Sequence, residues 1–157
     1  MPPRSGDPAP DFSLPSGPGP DRVTLSDFQG TDNVVILFFP LAFSSVCQDE
    51  LCQVRDSWPE ASELGAQVLA ISVDSPFVVK RFAEETGVGF PVLSDFNKEA
   101  MAAYDVMYQD FFGSRGVAKR SAFVVDKTGT VRYAWVTEDA GVLPDFDAIR
   151  AVVDALG

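Results

Sequence analysis

Six consecutive apolar residues, Val34-Val35-Ile36-Leu37-Phe38-Phe39, run from Asn33 into Pro40. A segment that is apolar at every position, rather than at every second one, suits a central strand covered on both faces. Val68-Leu69-Ala70-Ile71-Ser72-Val73 has the same character. Helical patterns follow both runs. From Cys47 to about Leu64, the residues Leu51, Val54, Arg55, Trp58, Ala61 and Leu64 keep helical spacing, and Gly65 is a natural stop. Pro59 inside that stretch predicts a kink or a break. After the second run, Ser75 is placed to cap a helix with Pro76 at its first position, running to about Thr86 and ending at Gly87.

The flanking segments complete the pattern. Asp11 to Leu14 and Arg22 to Leu25 read as short strands around a Pro/Gly-rich turn, with Ser26 as a cap for a short turn over Asp27 to Gln29, closed by Gly30. Phe90 to Leu93 reads as an extended segment whose Pro91 favours a sheet edge. Asn97 to Tyr104 is helical in pattern, and Phe111 to Ala118 is a loop with two glycines. Ser121 to Val125 and Thr130 to Val136 form a hairpin about Asp126-Lys127-Thr128-Gly129. Leu143 to Leu156 closes the chain as an amphipathic helix. Alternating strands and helices with a terminal hairpin predict an α/β fold: a mixed sheet with helices on both faces. At 157 residues the expectation is one domain, residues 1–157.

Composition narrows the chemistry. Acids outnumber bases 23 to 12, a formal charge of −11, which disfavours nucleic acid and anionic membranes as partners. No stretch approaches the roughly 20 apolar residues of a membrane span. The polar, Pro-rich residues Met1 to Pro10 have no signal-peptide character, so a cytoplasmic location is expected. The chain has no histidine, which removes Ser-His-Asp and Cys-His nucleophile pairs and most zinc and copper sites. With only Cys47 and Cys52, a four-thiolate metal site is impossible within one chain, and two close cysteines point to redox chemistry. No metal or other cofactor is expected.

Cys47 falls where a β-type run, a proline and a short loop lead into a helix. A helix N-terminus offers unpaired N–H groups and a partial positive charge, both of which favour thiolate over thiol. Alone, such a cysteine reads equally well as a small buried apolar residue.

Pro40, Ser44 and Cys47 together match the pattern Pro-x-x-x-Thr/Ser-x-x-Cys, and the chain resembles the peroxiredoxin superfamily. The resemblance spans nearly the whole chain. It is stronger still to the alkyl hydroperoxidase E type, through Phe38 to Phe43 with Cys47-Gln48, Phe90-Pro91 with Leu93 to Phe96, and Arg120 ahead of Phe123-Val124-Val125-Asp126. It implies a thioredoxin-like three-layer α/β/α fold with an N-terminal β-hairpin, and a thiol peroxidase acting on hydrogen peroxide and organic hydroperoxides. Cys47 would be the nucleophile, and Arg120 the cation that holds its thiolate and polarises the peroxide. Ser44 would supply a hydroxyl, and backbone N–H groups near Val46 and Cys47 would meet the leaving oxygen. Pro40 would stiffen the loop and shield Cys47 from water. Glu50 sits where the resemblance places an acid, to orient Arg120 or another arginine; as a first-turn acid it also has an ordinary helix-stabilising reading. A thioredoxin-like or mycoredoxin-like reductant and a homodimer are implied as well.

Cys52 stands at Cys-x-x-x-x-Cys spacing from Cys47, the separation at which Q-type peroxiredoxins carry a resolving cysteine. On an intact helix five residues rise about 7.5 Å and turn about 500°, which puts the Cα atoms about 8–9 Å apart. A disulfide tolerates roughly 7 Å, so the first turns must unwind before the bridge forms. The E type usually works with one cysteine, so the other reading leaves Cys52 inert and an external thiol as the reductant. Two different activities remain open, a thioredoxin-like disulfide reductase and a non-catalytic redox sensor. Phe39, Phe43, Phe111, Phe112 and Trp135 read either as a pocket for an organic hydroperoxide or as core and dimer contacts.

Overall fold

The unbroken apolar run becomes β3 (Asn33–Phe38), in which every residue is buried. The computed structural model describes residues 1–57 and 65–157, apart from the side chains of Cys47 and Ser57. Along the chain β1 (Ser13–Pro15) and β2 (Arg22–Thr24) form an antiparallel hairpin ahead of β3. Then come α1, described over Ser45–Ser57, β4 (Ala66–Ser72), α2 (Pro76–Thr86), β5 (Val92–Ser94) and α3 (Glu99–Tyr104). The hairpin of β6 (Ser121–Val125) and β7 (Val131–Val136) and the helix α4 (Phe146–Leu156) complete the order. The expected helical positions Trp58, Ala61 and Leu64, and the kink at Pro59, lie outside the described residues.

Among the described residues the main sheet has the order β5-β4-β3-β6-β7. β3, β4 and β5 run parallel, whereas β6 and β7 are antiparallel. The sheet is therefore mixed, and β5 takes the edge that Pro91 favoured. Alternation divides the strands between two cores. Ile36, Phe38, Leu69, Ile71 and Phe123 face Met101 and Tyr104 of α3, together with Phe12 and Leu14 of the N-terminal segment. Val35, Leu37, Val68 and Val124 face Val54 of α1 and Ile149 and Val153 of α4. Ala70 and Val92 meet Leu51 of α1 and Val79 and Phe82 of α2. These are the three layers and N-terminal hairpin that the resemblance implied.

Local signals set the helix ends. Ser75 caps α2 by accepting from Val78 N at 3.3 Å, and Gly87 ends it at φ 67°. α4 starts three residues later than the pattern indicated, because Asp145 caps it through Ala148 N at 3.0 Å. α3 starts at Glu99 rather than Asn97, since its cap comes from the buried Asp95, which accepts from Ala100 N at 3.1 Å and Met101 N at 2.8 Å. The expected Ser26 cap is corrected. The 3-10 turn Leu25–Phe28 begins two residues earlier than expected, and Ser26 lies inside it. The Asp11 carboxylate takes the Ser26 N–H at 2.9 Å, a charge-assisted bond that a serine cap would not equal.

The register positions the site. β3 and β4 end at the same edge of the sheet, and Phe38 pairs with Ser121. One step outward on the antiparallel pair brings Arg120 beside Phe39. Loops leaving the carboxyl ends of parallel strands are where α/β proteins build their sites.

Phe38 packs edge-on to Phe123, ring centroids 6.2 Å apart, and tilted against Tyr104 at 5.4 Å. Phe38→Ala is expected to cost about 3–5 kcal/mol of folding stability, read as a lower urea midpoint at unchanged slope.

Candidate active site

The loop from Pro40 to Ser44 joins β3 to α1. Pro40 is buried at the strand exit. Ala42 N donates to Asp74 Oδ2 at 2.7 Å. Phe43 takes a left-handed backbone, φ 68°, and its half-exposed ring packs edge-on against Phe82 at 5.0 Å. The exposed Ser44 donates its hydroxyl to Leu41 O at 3.0 Å, which leaves that oxygen free to accept from another group. Ser44 O accepts from Gln48 N at 3.0 Å, so Cys47 falls in the first turn of α1, where N–H groups lack intrahelical partners. The Cys47 side chain itself lies outside the described residues.

Three residues further along α1, Glu50 shares the Cys47 face of the helix. It is 0% exposed, and Arg120 is 1% exposed. Arg120 Nη1 donates to Glu50 Oε2 in a buried ion pair, and Arg120 Nε donates to Ala140 O at 2.9 Å. The Arg120 backbone is held by Thr137 N–H, which donates to its carbonyl at 3.1 Å. The guanidinium is thus aimed by the segment after β7, Thr137 to Ala140, together with Glu50. The structure brings Glu50 and Arg120, both expected site residues, into contact.

Burial pushes the Glu50 carboxyl up to about 7, against the opposing charge and hydrogen bond of Arg120. Oε1 has no hydrogen-bond partner among the described residues. A raised carboxyl binds its proton in the folded state at pH values where the unfolded chain has released it.

The remaining expected positions separate. Cys52 is partly buried and lies in the same continuous helix as Cys47, so any disulfide between them would require the helix to unwind. Phe39 is fully buried core, and Trp135 packs against the core beneath α4. Phe112 is 94% exposed. Sequence reasoning missed two groups that hold the site: the Ala140 carbonyl on Arg120 and the Asp74 carboxylate on Ala42. Only Asp74 carried a signal, as an acid just beyond the carboxyl end of a buried strand.

The family model described as AhpC/TSA matches residues 5–134. The chain belongs to this family. Alkyl hydroperoxide reductase E of Mycobacterium tuberculosis is 43% identical over 126 residues, covering 80% of each chain. Peroxiredoxin Bcp of Escherichia coli is 34% identical over 135 residues, covering 84% of this chain and 85% of that one. Among solved structures, Peroxidoxin BcpB of M. tuberculosis superposes with a TM-score of 0.83 at 28% identity, over 99% of both chains. A peroxiredoxin-like protein of Aquifex aeolicus gives a TM-score of 0.86 at 26% identity, over 98% of this chain and 87% of that one. The fold is that of the peroxiredoxins, and the chain is a thiol-dependent peroxidase, an oxidoreductase.

The sign of the Glu50 effect is testable in this peroxiredoxin. The raised carboxyl contributes stability that is complete below its ordinary value of 4.5 and lost as pH rises to about 7. The stability of wild type minus that of Glu50→Gln should therefore fall by up to about 1.4 kcal/mol per pH unit across that window, and level off above it. Urea unfolding at a series of pH values reads the difference directly; a flat difference contradicts the assignment.

Proposed function

We propose that Cys47 is the peroxidatic nucleophile of this chain, with Arg120, Ser44 and Pro40 completing its site and Glu50 orienting Arg120. The observation that supports this most is the buried Glu50–Arg120 pair, anchored on the Cys47 face of α1. Only the thiolate attacks an O–O bond, and an ordinary cysteine near pKa 8.5 is mostly protonated at neutral pH. With no histidine in the chain, the guanidinium and the peptide dipoles of the first turn are the available source of activation.

In the reaction, the Cys47 thiolate attacks the terminal oxygen of a hydroperoxide. A sulfur–oxygen bond forms as the O–O bond breaks, and the electron pair leaves on the departing oxygen, which is released as water or an alcohol once protonated. Cys47 becomes a sulfenic acid, oxidised by two electrons. Arg120 stabilises the charge as it shifts from sulfur to oxygen. Ser44, its own proton committed to Leu41 O, accepts from the hydroperoxide O–H and aligns it. Cys52 then condenses with the sulfenic acid, forming the disulfide and releasing water. A thioredoxin-like or mycoredoxin-like dithiol restores both thiols and is itself oxidised. No metal or other cofactor enters this scheme.

Hydrogen peroxide and organic hydroperoxides are the proposed substrates, the latter supported by the name of the alkyl hydroperoxide reductase relative. The proposal keeps one domain over residues 1–157, a homodimer and a cytoplasmic location. Among the described residues no helix is long and apolar enough to cross a membrane. Phe43 and Phe112 are exposed apolar surface that a partner subunit would cover.

Turnover assays with hydrogen peroxide and a thioredoxin system test these roles. Cys47→Ser is expected to abolish activity, and Arg120→Met to lower kcat/KM by about 10²–10³. Mass spectrometry after one equivalent of peroxide should find two hydrogens lost from wild type and one oxygen gained by Cys52→Ser. Equal turnover by wild type and Cys47→Ser would refute the assignment.

A further inference from the structure

One carboxylate holds the active-site loop to the sheet. Asp74 Oδ2 accepts from Ala42 N at 2.7 Å and from Ser72 Oγ at 2.7 Å. Ser72 is fully buried at the carboxyl end of β4, and Ser94 of β5 donates its hydroxyl to Asp74 O at 2.5 Å. Asp74 is therefore fastened to two neighbouring strands, while the group it grips is the middle of the Pro40–Ser44 loop. The next residue, Phe43, sits in the left-handed region at φ 68°, which a bulky aromatic side chain disfavours. Such a conformation persists only where its surroundings enforce it. Here the enforcing groups are the Asp74 bond on one side, the Phe43–Phe82 ring contact, and the Ser44–Leu41 hydrogen bond on the other.

The loop runs directly into the first turn of α1, the turn that must unwind for Cys47 to approach Cys52. We infer that Asp74 is a positioning residue that latches this loop, holding Cys47 in the peroxide-reactive form, and that the latch must open before Cys47 can bond to Cys52. This rests on the Cys47 chemistry proposed above. The two demands are opposed. A tight latch favours attack on the peroxide and slows disulfide formation, because one ordered loop geometry serves the first step and its loss serves the second. A charge-assisted hydrogen bond suits a latch, since it is strong while the carboxylate is sheltered and exchanges readily for water once the loop lifts.

The experiment follows both steps on reduced full-length protein mixed with hydrogen peroxide. Sulfenic acid formation is read by rapid quench and trapping, and disulfide formation by the loss of two hydrogens in quenched mass spectra. Asp74→Ala is expected to lower the second-order rate constant for sulfenic acid formation about tenfold, while raising the first-order rate constant for disulfide formation several-fold. Asp74→Asn keeps an oxygen that can accept from Ala42 N and should return both constants most of the way to wild type. Ser72→Ala removes one of the two donors to the carboxylate and should shift both constants in the Asp74→Ala directions, by less. It keeps the test decisive should Asp74→Ala fail to fold.

A merely structural loss would change the two steps together. Constants that fall together in the folded variants, or that stay at wild-type values, overturn the latch. A wild type whose sulfenic acid never reaches Cys52 also overturns it. A wild type that forms no sulfenic acid overturns the Cys47 assignment beneath it, a result read before any variant is compared.

Discussion

A carboxylate and a guanidinium that have both left water are most secure when each is held by something besides the other. In this chain Arg120 meets that condition, whereas among the described residues Glu50 is held by Arg120 alone. Arg120 also donates to the Ala140 carbonyl, whereas Glu50 keeps one oxygen without a partner among the described residues. The pair spans 70 positions in the chain and joins the first turns of α1 to the start of β6. Removing either partner would leave a buried charge uncompensated, at a cost of about 3–5 kcal/mol. A charge kept under such conditions is better explained by chemistry than by stability, since a well-packed apolar pair would serve stability as well.

The absence of histidine makes the guanidinium indispensable to the proposed mechanism. Many thiol nucleophiles rely on an imidazole to remove the proton. Here a permanently charged group and the oriented N–H groups of a helix start must hold the anion instead. Arginine cannot accept a proton, so it acts by electrostatics alone. Such a site depends on geometry more than on proton transfer, which gives physical weight to the rigid surroundings of the loop: buried Pro40, the Asp74 bond to Ala42, and the Phe43 ring against Phe82.

Local signals were legible in the sequence and distant ones were not. α2 was readable to the residue because Ser75, Pro76 and Gly87 each act on their own backbone. β3 was readable because an apolar run of that kind has one stable placement. The caps of α3 and of the 3-10 turn were not, because Asp95 and Asp11 reach across several residues to supply them. At the site, Cys47 and Glu50 are related by helical period and could be paired on paper. Arg120 came only through the resemblance, since nothing local ties it to α1. Asp74 precedes the Ser75 cap with no local sign of its partner, and its bond to Ala42 exists only because β4 lies beside β3.

The central claim is that the Cys47 sulfur is ionised at neutral pH by Arg120 and the helix start. Its most direct test is the pH dependence of alkylation in Cys52→Ser, which leaves Cys47 as the sole thiol, compared with Cys52→Ser/Arg120→Met. The account predicts that the first protein titrates below pH 7 and that the second moves up toward the ordinary thiol value of about 8.5. A thiol that titrates near 8.5 or higher in both proteins would contradict it.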